Sequence, residues 1–156
     1  MLKTNAGNKL FIAIDPWNVS TQLTYEELKF ISELKYNYSN NKEDRNYFHN
    51  KGNTTSITTG ATHSLSITID FDDKNTLHKY LLKLLLGDAQ NLNGQYIRLE
   101  LLSLPGETEN KKIVISGKCT INFKNHFPSG NPNEIQKLQL DLMPQDDNWT
   151  TAEENR

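Results

Sequence analysis

The chain has 156 residues, carries 17 basic against 19 acidic side chains for a formal net charge of -2, and is 35% apolar. That balance leaves no basic footprint for gripping a nucleic acid from outside, though it permits a protein past which nucleic acid travels. The length suits one domain, but the apolar share is low for a self-contained globule, so either the loops are large and polar or assembly supplies part of the burial.

Residues 1–9 are polar and expected to be loose. Leu10, Ile12 and Ile14 alternate with Lys9, Phe11 and Ala13, which predicts a short strand apolar on both faces, ended by Asp15-Pro16. Trp17 stands in a polar setting and suits packing over a sheet edge. Thr24 and Glu27 have capping-box spacing, which predicts a helical turn over Thr24–Leu28. Leu34, Tyr36 and Tyr38 then share one face of a strand, with Phe30 and Ile31 upstream. Residues 39–60 are the longest polar tract and read as one long loop, with the aromatic pair Tyr47-Phe48 inside it. A loop of such length in a compact domain serves contact or function, or is disordered. One reading lets the two rings fold back on the body; the other docks the loop on a neighbour.

From Ser64 the alternation is clean: Leu65, Ile67, Ile69 and Phe71 face in, and Ser64, Ser66, Thr68 and Asp70 face out. Asp72-Asp73 is expected to open a helix whose apolar stripe is Leu77, Tyr80, Leu81, Leu84 and Leu85. Gly87 is positioned to end it in a left-handed conformation. Capping accounts for the Asp70, Asp72 and Asp73 cluster without a metal, since no further ligands stand at useful spacing. Asn93-Gly94 signals a turn before a strand over Tyr96–Leu104. After a polar loop at 105–112, Ile113, Ile115, Gly117, Cys119, Ile121 and Phe123 alternate against Val114, Ser116, Lys118, Thr120, Asn122 and Lys124. A turn-rich segment from Phe127 to Pro132 follows, then Leu138, Leu140 and Leu142 face in. The two segments predict an antiparallel strand pair. The polar end of the chain, at about 150–156, is expected to be mobile.

These elements make one α+β domain over residues 1–156: a mostly antiparallel β-sandwich or barrel-like sheet with one amphipathic helix. No constellation carries chemistry. His49, His63, His78 and His126 lie far apart, no serine sits in a nucleophile elbow, and no glycine cluster cradles phosphate. The expectation is a protein that is not an enzyme, with no catalytic residues, cofactor or metal. Cys119, the one cysteine, falls on an apolar strand face and reads as a small buried hydrophobe. Met1–Ile14 has no apolar run long enough for a signal peptide and no segment approaches transmembrane length, so synthesis in a cytoplasm and no membrane partner are expected.

In order and motif, the chain resembles the tail tube (major tail) proteins of long-tailed bacteriophages. The segment Tyr47-Phe48-His49-Asn50-Lys51-Gly52 is similar to the aromatic-then-Gly element at the end of that family's long loop. Leu65–Phe71 followed by Asp72-Asp73 and a helix to Leu86 is similar to its strand-then-helix unit. Ile113–Lys124, a Gly-containing turn and Leu138–Met143 followed by Pro-Gln-Asp resemble its closing pair. The likeness spans roughly residues 30–149. Asn and Lys stand where many relatives carry an Asp-rich segment.

The resemblance implies a structural virion protein: hexameric rings stacked into a hollow tail tube, lined by a β-barrel that all six subunits share. DNA would pass through the lumen without specific binding. It also implies tape measure and distal tail proteins as partners, and a location in the virion tail after assembly in the host cytoplasm. The long loop and the termini would bridge successive rings, and Arg45, Tyr47 and Phe48 are the candidate inter-ring contacts. The polar faces of Ile113–Lys124 and Leu138–Met143 are candidates for the lumen wall. Two other readings are the inner tube of a contractile or secretion-system particle, which shares the fold, and a monomeric lectin-like binding module.

Overall fold

The computed structural model describes residues 7–14, 16, 23–87, 92–102, 111–124, 131–145 and 149–155. The expectations for Trp17, the loop at 105–110 and the turn at 127–130 lie outside them. The described strands are β1 (Lys9–Ala13), β2 (Tyr25–Glu27), β3 (Ile31–Asn46), β4 (Thr54–Asp70), β5 (Gln95–Leu101), β6 (Lys111–Phe123), β7 (Lys137–Pro144) and β8 (Thr150–Asn155), with one helix, α1 (Thr76–Gly87). All pair antiparallel in one open sheet of order β2-β1-β5-β6-β7-β4-β3, with β8 on β6. The α+β class with a single helix on a mostly antiparallel sheet is as the alternation predicts.

Alternation sets the core. Leu10 and Ile12 of β1, Leu65 and Ile69 of β4, Ile97 and Leu99 of β5, and Leu138, Leu140 and Leu142 of β7 are fully buried. Helix α1 closes the core with Leu77, Tyr80, Leu81 and Leu84. Each such side chain contributes roughly 1.5–3 kcal/mol over leaving it exposed. Cys119 is buried among them, and desolvation pushes its thiol up to about 12, so it is inert at neutral pH.

Five local expectations differ from the structure. Thr24–Leu28 is not a helical turn: its centre is the edge strand β2, because the Ile14 and Leu28 amides bond to the Thr24 and Leu10 carbonyls and draw the segment into the β1 ladder. The helix does not open on Asp72-Asp73. Asn75 caps it, its Oδ1 accepting from the Leu77 and His78 amides at 3.0 and 3.2 Å, while Asp72 turns to the Lys74 amide. Gly87 is the last residue of α1, and its φ is not positive. The long loop at 39–60 is instead a β-hairpin, and the tail at 150–156 is the strand β8 over Thr150–Asn155. Backbone ladders build both, so no apolar pattern announces them.

His78 fixes the helix to the sheet. It is fully buried; its Nδ1 accepts from the Asp72 amide at 3.0 Å and its Nε2 donates to the Lys29 carbonyl at 2.8 Å. A backbone N–H can only donate, so the ring is the neutral Nε2-protonated tautomer. One side chain thus joins α1 to the segments on both sides of β3 and β4.

Candidate assembly surface

β4 leaves the body of the sheet at Leu65. Its residues from Leu65 to Asp70 pair with β7, but those from Thr54 to Ser64 pair with β3 alone. The result is a two-stranded arm, with a register shift between Asn41 and Lys42. Every residue from Ser39 to His49 is exposed. The ladder sets the Ser, Asn and charged residues of β3 against a threonine-rich stretch of β4, and threonine is the residue here that suits an extended backbone.

The arm tip reverses through a short 3-10 turn over Phe48–Asn50. Lys51 at φ 54 and Gly52 at φ 80 close it, their amides bonding to the Phe48 and Tyr47 carbonyls at 3.0 and 3.2 Å. This geometry pushes the Phe48 ring outward to 105% relative exposure, while Tyr47 stacks on His49 with ring centroids 5.6 Å apart. Arg45 pairs with Glu43 just below the tip. The structure therefore brings Arg45, Tyr47 and Phe48 together on one projecting end. Burying a fully exposed phenylalanine against a partner recovers about 1.5–3 kcal/mol, and aromatic and arginine side chains are the usual anchors of interfaces.

At the root of the arm the sheet forks, and sequence reasoning missed this feature. β6 advances three residues, from Ser116 to Cys119, while its partner chain advances six, from Thr150 back to Pro144. β7 and β8 thus pair with successive stretches of β6. Trp149 fills the fork. Its ring packs on Gly117, its Nε1 donates to the Lys118 carbonyl at 3.1 Å, and it faces Tyr36 at 6.4 Å. Tyr36 in turn bonds through its hydroxyl to His63 Nδ1 at 2.6 Å, and Tyr38 lies edge-on to the same imidazole. Burial first, and the neighbouring Tyr38 second, raise the Tyr36 hydroxyl pKa above its ordinary value. The glycine at 117 within an apolar strand was the available signal: a missing side chain marks a close approach.

β8 contributes nothing large to the core; its residues are Thr, Ala, Glu and Asn, mostly exposed. Its ladder to β6 is supplemented by charge. The Arg98 guanidinium reaches across β6 to Glu154 and lies 3.7 Å from Glu100, which Lys112 also meets, and Lys111 faces Glu153 at 3.5 Å. The hydrogen bond that Arg98 donates to Glu154 is the main reason the Arg98 pKa is raised.

An open cleft of about 690 Å³ runs between β3 and the β5–β6 face, lined by Ile31, Leu34, Tyr36, Leu99, Leu101 and Ile115. It holds no cluster of titratable groups. Among the described residues no group of three or more His, Cys, Asp or Glu side chains is arranged to hold a metal ion. No helix among them is long and apolar enough to cross a membrane.

No family model and no curated protein sequence matches the chain. Solved structures do. A chain from the tail of an empty gene transfer agent particle with C6 symmetry superposes at a TM-score of 0.60 and 11% identity, covering 92% of this chain and 95% of that one. A chain from the virion of the native gene transfer agent particle gives 0.59 at 11% identity, with the same coverage of each. One from the six-fold symmetrised baseplate of the anti-feeding prophage gives 0.57 at 11% identity, over 97% and 96% of the two chains. At such identity the likeness is one of fold, and it extends over nearly the whole of each chain. The chain has the fold of a tail tube-type protein, as its resemblance to the phage tail tube family implies.

Proposed function

We propose that this protein is a structural protomer of a tail tube: hexameric rings that stack into the conduit through which a genome is delivered. The observation that carries the reading is the arm. A two-stranded ribbon extends beyond the body of the sheet and ends in a fully exposed phenylalanine, on a fold matched over 92% and 97% of the chain by components of six-fold tail and baseplate assemblies. An isolated two-stranded ribbon is marginal in water, so a partner is the simplest source of its stability. In this reading Arg45, Tyr47 and Phe48 contact the next ring. That contact is head-to-tail, does not close, and so generates a filament. Tape measure and distal tail proteins meet the tube at its inside and end. DNA passes through a lumen that its near-neutral subunits do not make adhesive. Assembly takes place in the host cytoplasm and the product resides in the virion tail, with no enzymatic step.

A second reading shares this architecture: the inner tube of a contractile particle. The likeness to a chain of the anti-feeding prophage baseplate supports it. A sheath protein that co-sediments with the tube separates the two.

Light scattering and negative-stain microscopy of the wild type against Y47S/F48S test the proposal. Wild type should give stacked rings, and the double variant single rings or protomers at the same concentration. Tubes of normal length from the variant would overturn the role given to the tip.

A further inference from the structure

The chain's free strand edges are not equivalent. The outer edge of β3 carries Lys35, Lys42, Glu43, Asp44 and Arg45, and charges on an edge discourage pairing with another chain. β2 is only three residues long. The outer edge of β4 from Ser56 to Ser64 is different: Ser, Ile, Thr, Thr, Gly, Ala, Thr, His, Ser, with no Lys, Arg, Asp, Glu or Pro. Among the described residues nothing pairs with its backbone on that side, since the pairing of β4 with β7 ends at Leu65. At about 3.3 Å per residue this is roughly 30 Å of unguarded, β-prone edge.

β8 is the other lightly guarded edge. Its only charges are Glu153 and Glu154, and both are matched by Lys111 and Arg98 on its own chain. The two edges diverge from one fork, on either side of Trp149. Within one protomer β8 follows β6 while the Ser56–Ser64 stretch follows β3, so each leaves one side open.

We propose that the Ser56–Ser64 edge of β4 pairs with the β8 edge of a second copy of this chain, adding backbone hydrogen bonds across the subunit boundary. Elimination on charge and length selects the partner. β3 would bring charge against a neutral strand, and β2 is too short. Pairing of β4 with β4 would close as a two-fold dimer and could not propagate around a ring. Pairing β4 with β8 is head-to-tail, and it gives the ribbon the third strand it lacks. This inference rests on the ring-forming reading above and names the surface through which copies join.

Three measurements on the full chain test it. In hydrogen–deuterium exchange, peptides covering 56–64 and 150–155 should slow on the order of 100-fold in particles relative to the free protomer. Exchange at the protomer rate in either peptide within intact particles overturns the pairing. Thr58 and Thr62 are exposed, so T58K/T62K should leave the protomer's unfolding midpoint unchanged and abolish particles; particles at wild-type yield overturn it. Finally, T62C protomers mixed with A152C protomers should cross-link to each other through a short bis-maleimide, the buried native Cys119 staying silent. Cross-linking of T62C with itself instead would mean the two-fold pairing and overturn the proposal. If the wild type forms no particle under any condition, the tube reading fails and this inference with it; particles that fail the exchange test refute the inference alone.

Discussion

Gly117 to alanine is the sharpest single test of how the fork is built. Gly117 does not have a positive φ, so its backbone accepts alanine. What forbids it is Trp149: an added Cβ would lie 2.6 Å from Trp149 Cδ1 and 3.3 Å from Trp149 Cα. Carbon atoms in contact sit about 3.5–4.0 Å apart, so the ring must move by roughly 1 Å. Overpacking of this kind costs about 1–3 kcal/mol. The displaced ring also loses the bond from its Nε1 to the Lys118 carbonyl, a further ~0.5–1.5 kcal/mol. A total of about 2–4 kcal/mol lowers the midpoint of a domain this size by roughly 5–15 °C. Thermal unfolding by circular dichroism, at protein concentrations below assembly, reads it. The control is the same change in a W149A background. There the clash with the ring is gone and only the 3.3 Å approach to the residue 149 Cα remains, so alanine should cost clearly less than in the wild-type background. Equal effects in both backgrounds, or no effect in the wild type, would refute the packing described for Trp149.

The other predictions concern the helix, the thiol and the last strand. His78→Ala should destabilise by about 2–5 kcal/mol, because it strands the Asp72 amide and Lys29 carbonyl in a buried site; chemical denaturation measures it, and a loss under ~1 kcal/mol would contradict the staple. The Cys119 thiol is raised from 9.0 to about 12 in the folded chain. The unfolded chain therefore releases its proton first, and stability is full below pH 9 and falls by ~1.4 kcal/mol per unit above it. C119A should show a shallower alkaline decline, and identical pH profiles would rule this out. Glu154→Gln weakens the pairing that joins β8 to Arg98. It should speed amide exchange over 150–155 several-fold, with little change in the core, since the pair is partly exposed.

The core was legible in the sequence because its period is unambiguous. Leu65, Ile67 and Ile69, then Leu138, Leu140 and Leu142, alternate with polar residues and are all buried. The stripe of Leu77, Tyr80, Leu81 and Leu84 likewise marks the buried side of α1. The arm was not legible. A strand wet on both faces has no inside, so Ser39–Asn46 and Thr54–Gly60 alternate nothing and read as loop despite their β-branched threonines. β8 failed for the same reason, its Thr-Thr-Ala-Glu-Glu-Asn having no apolar face. The helix start was misplaced because Asp72, Asp73 and Asn75 are all competent caps, and only the geometry selects Asn75. At the tip, the aromatic pair within a polar tract was visible as an anomaly, and the structure adds that Phe48 is presented outward while Tyr47 is braced by His49.

The central claim is that this chain builds a tube of six-fold rings linked by their arms. Cryo-electron microscopy of the concentrated protein tests it most directly. The account predicts hollow particles with six protomers per ring and density for each arm tip, Phe48 included, buried against the adjacent ring. Particles of another symmetry, tubes whose arm tips touch nothing, or a protein monomeric at every concentration would contradict it.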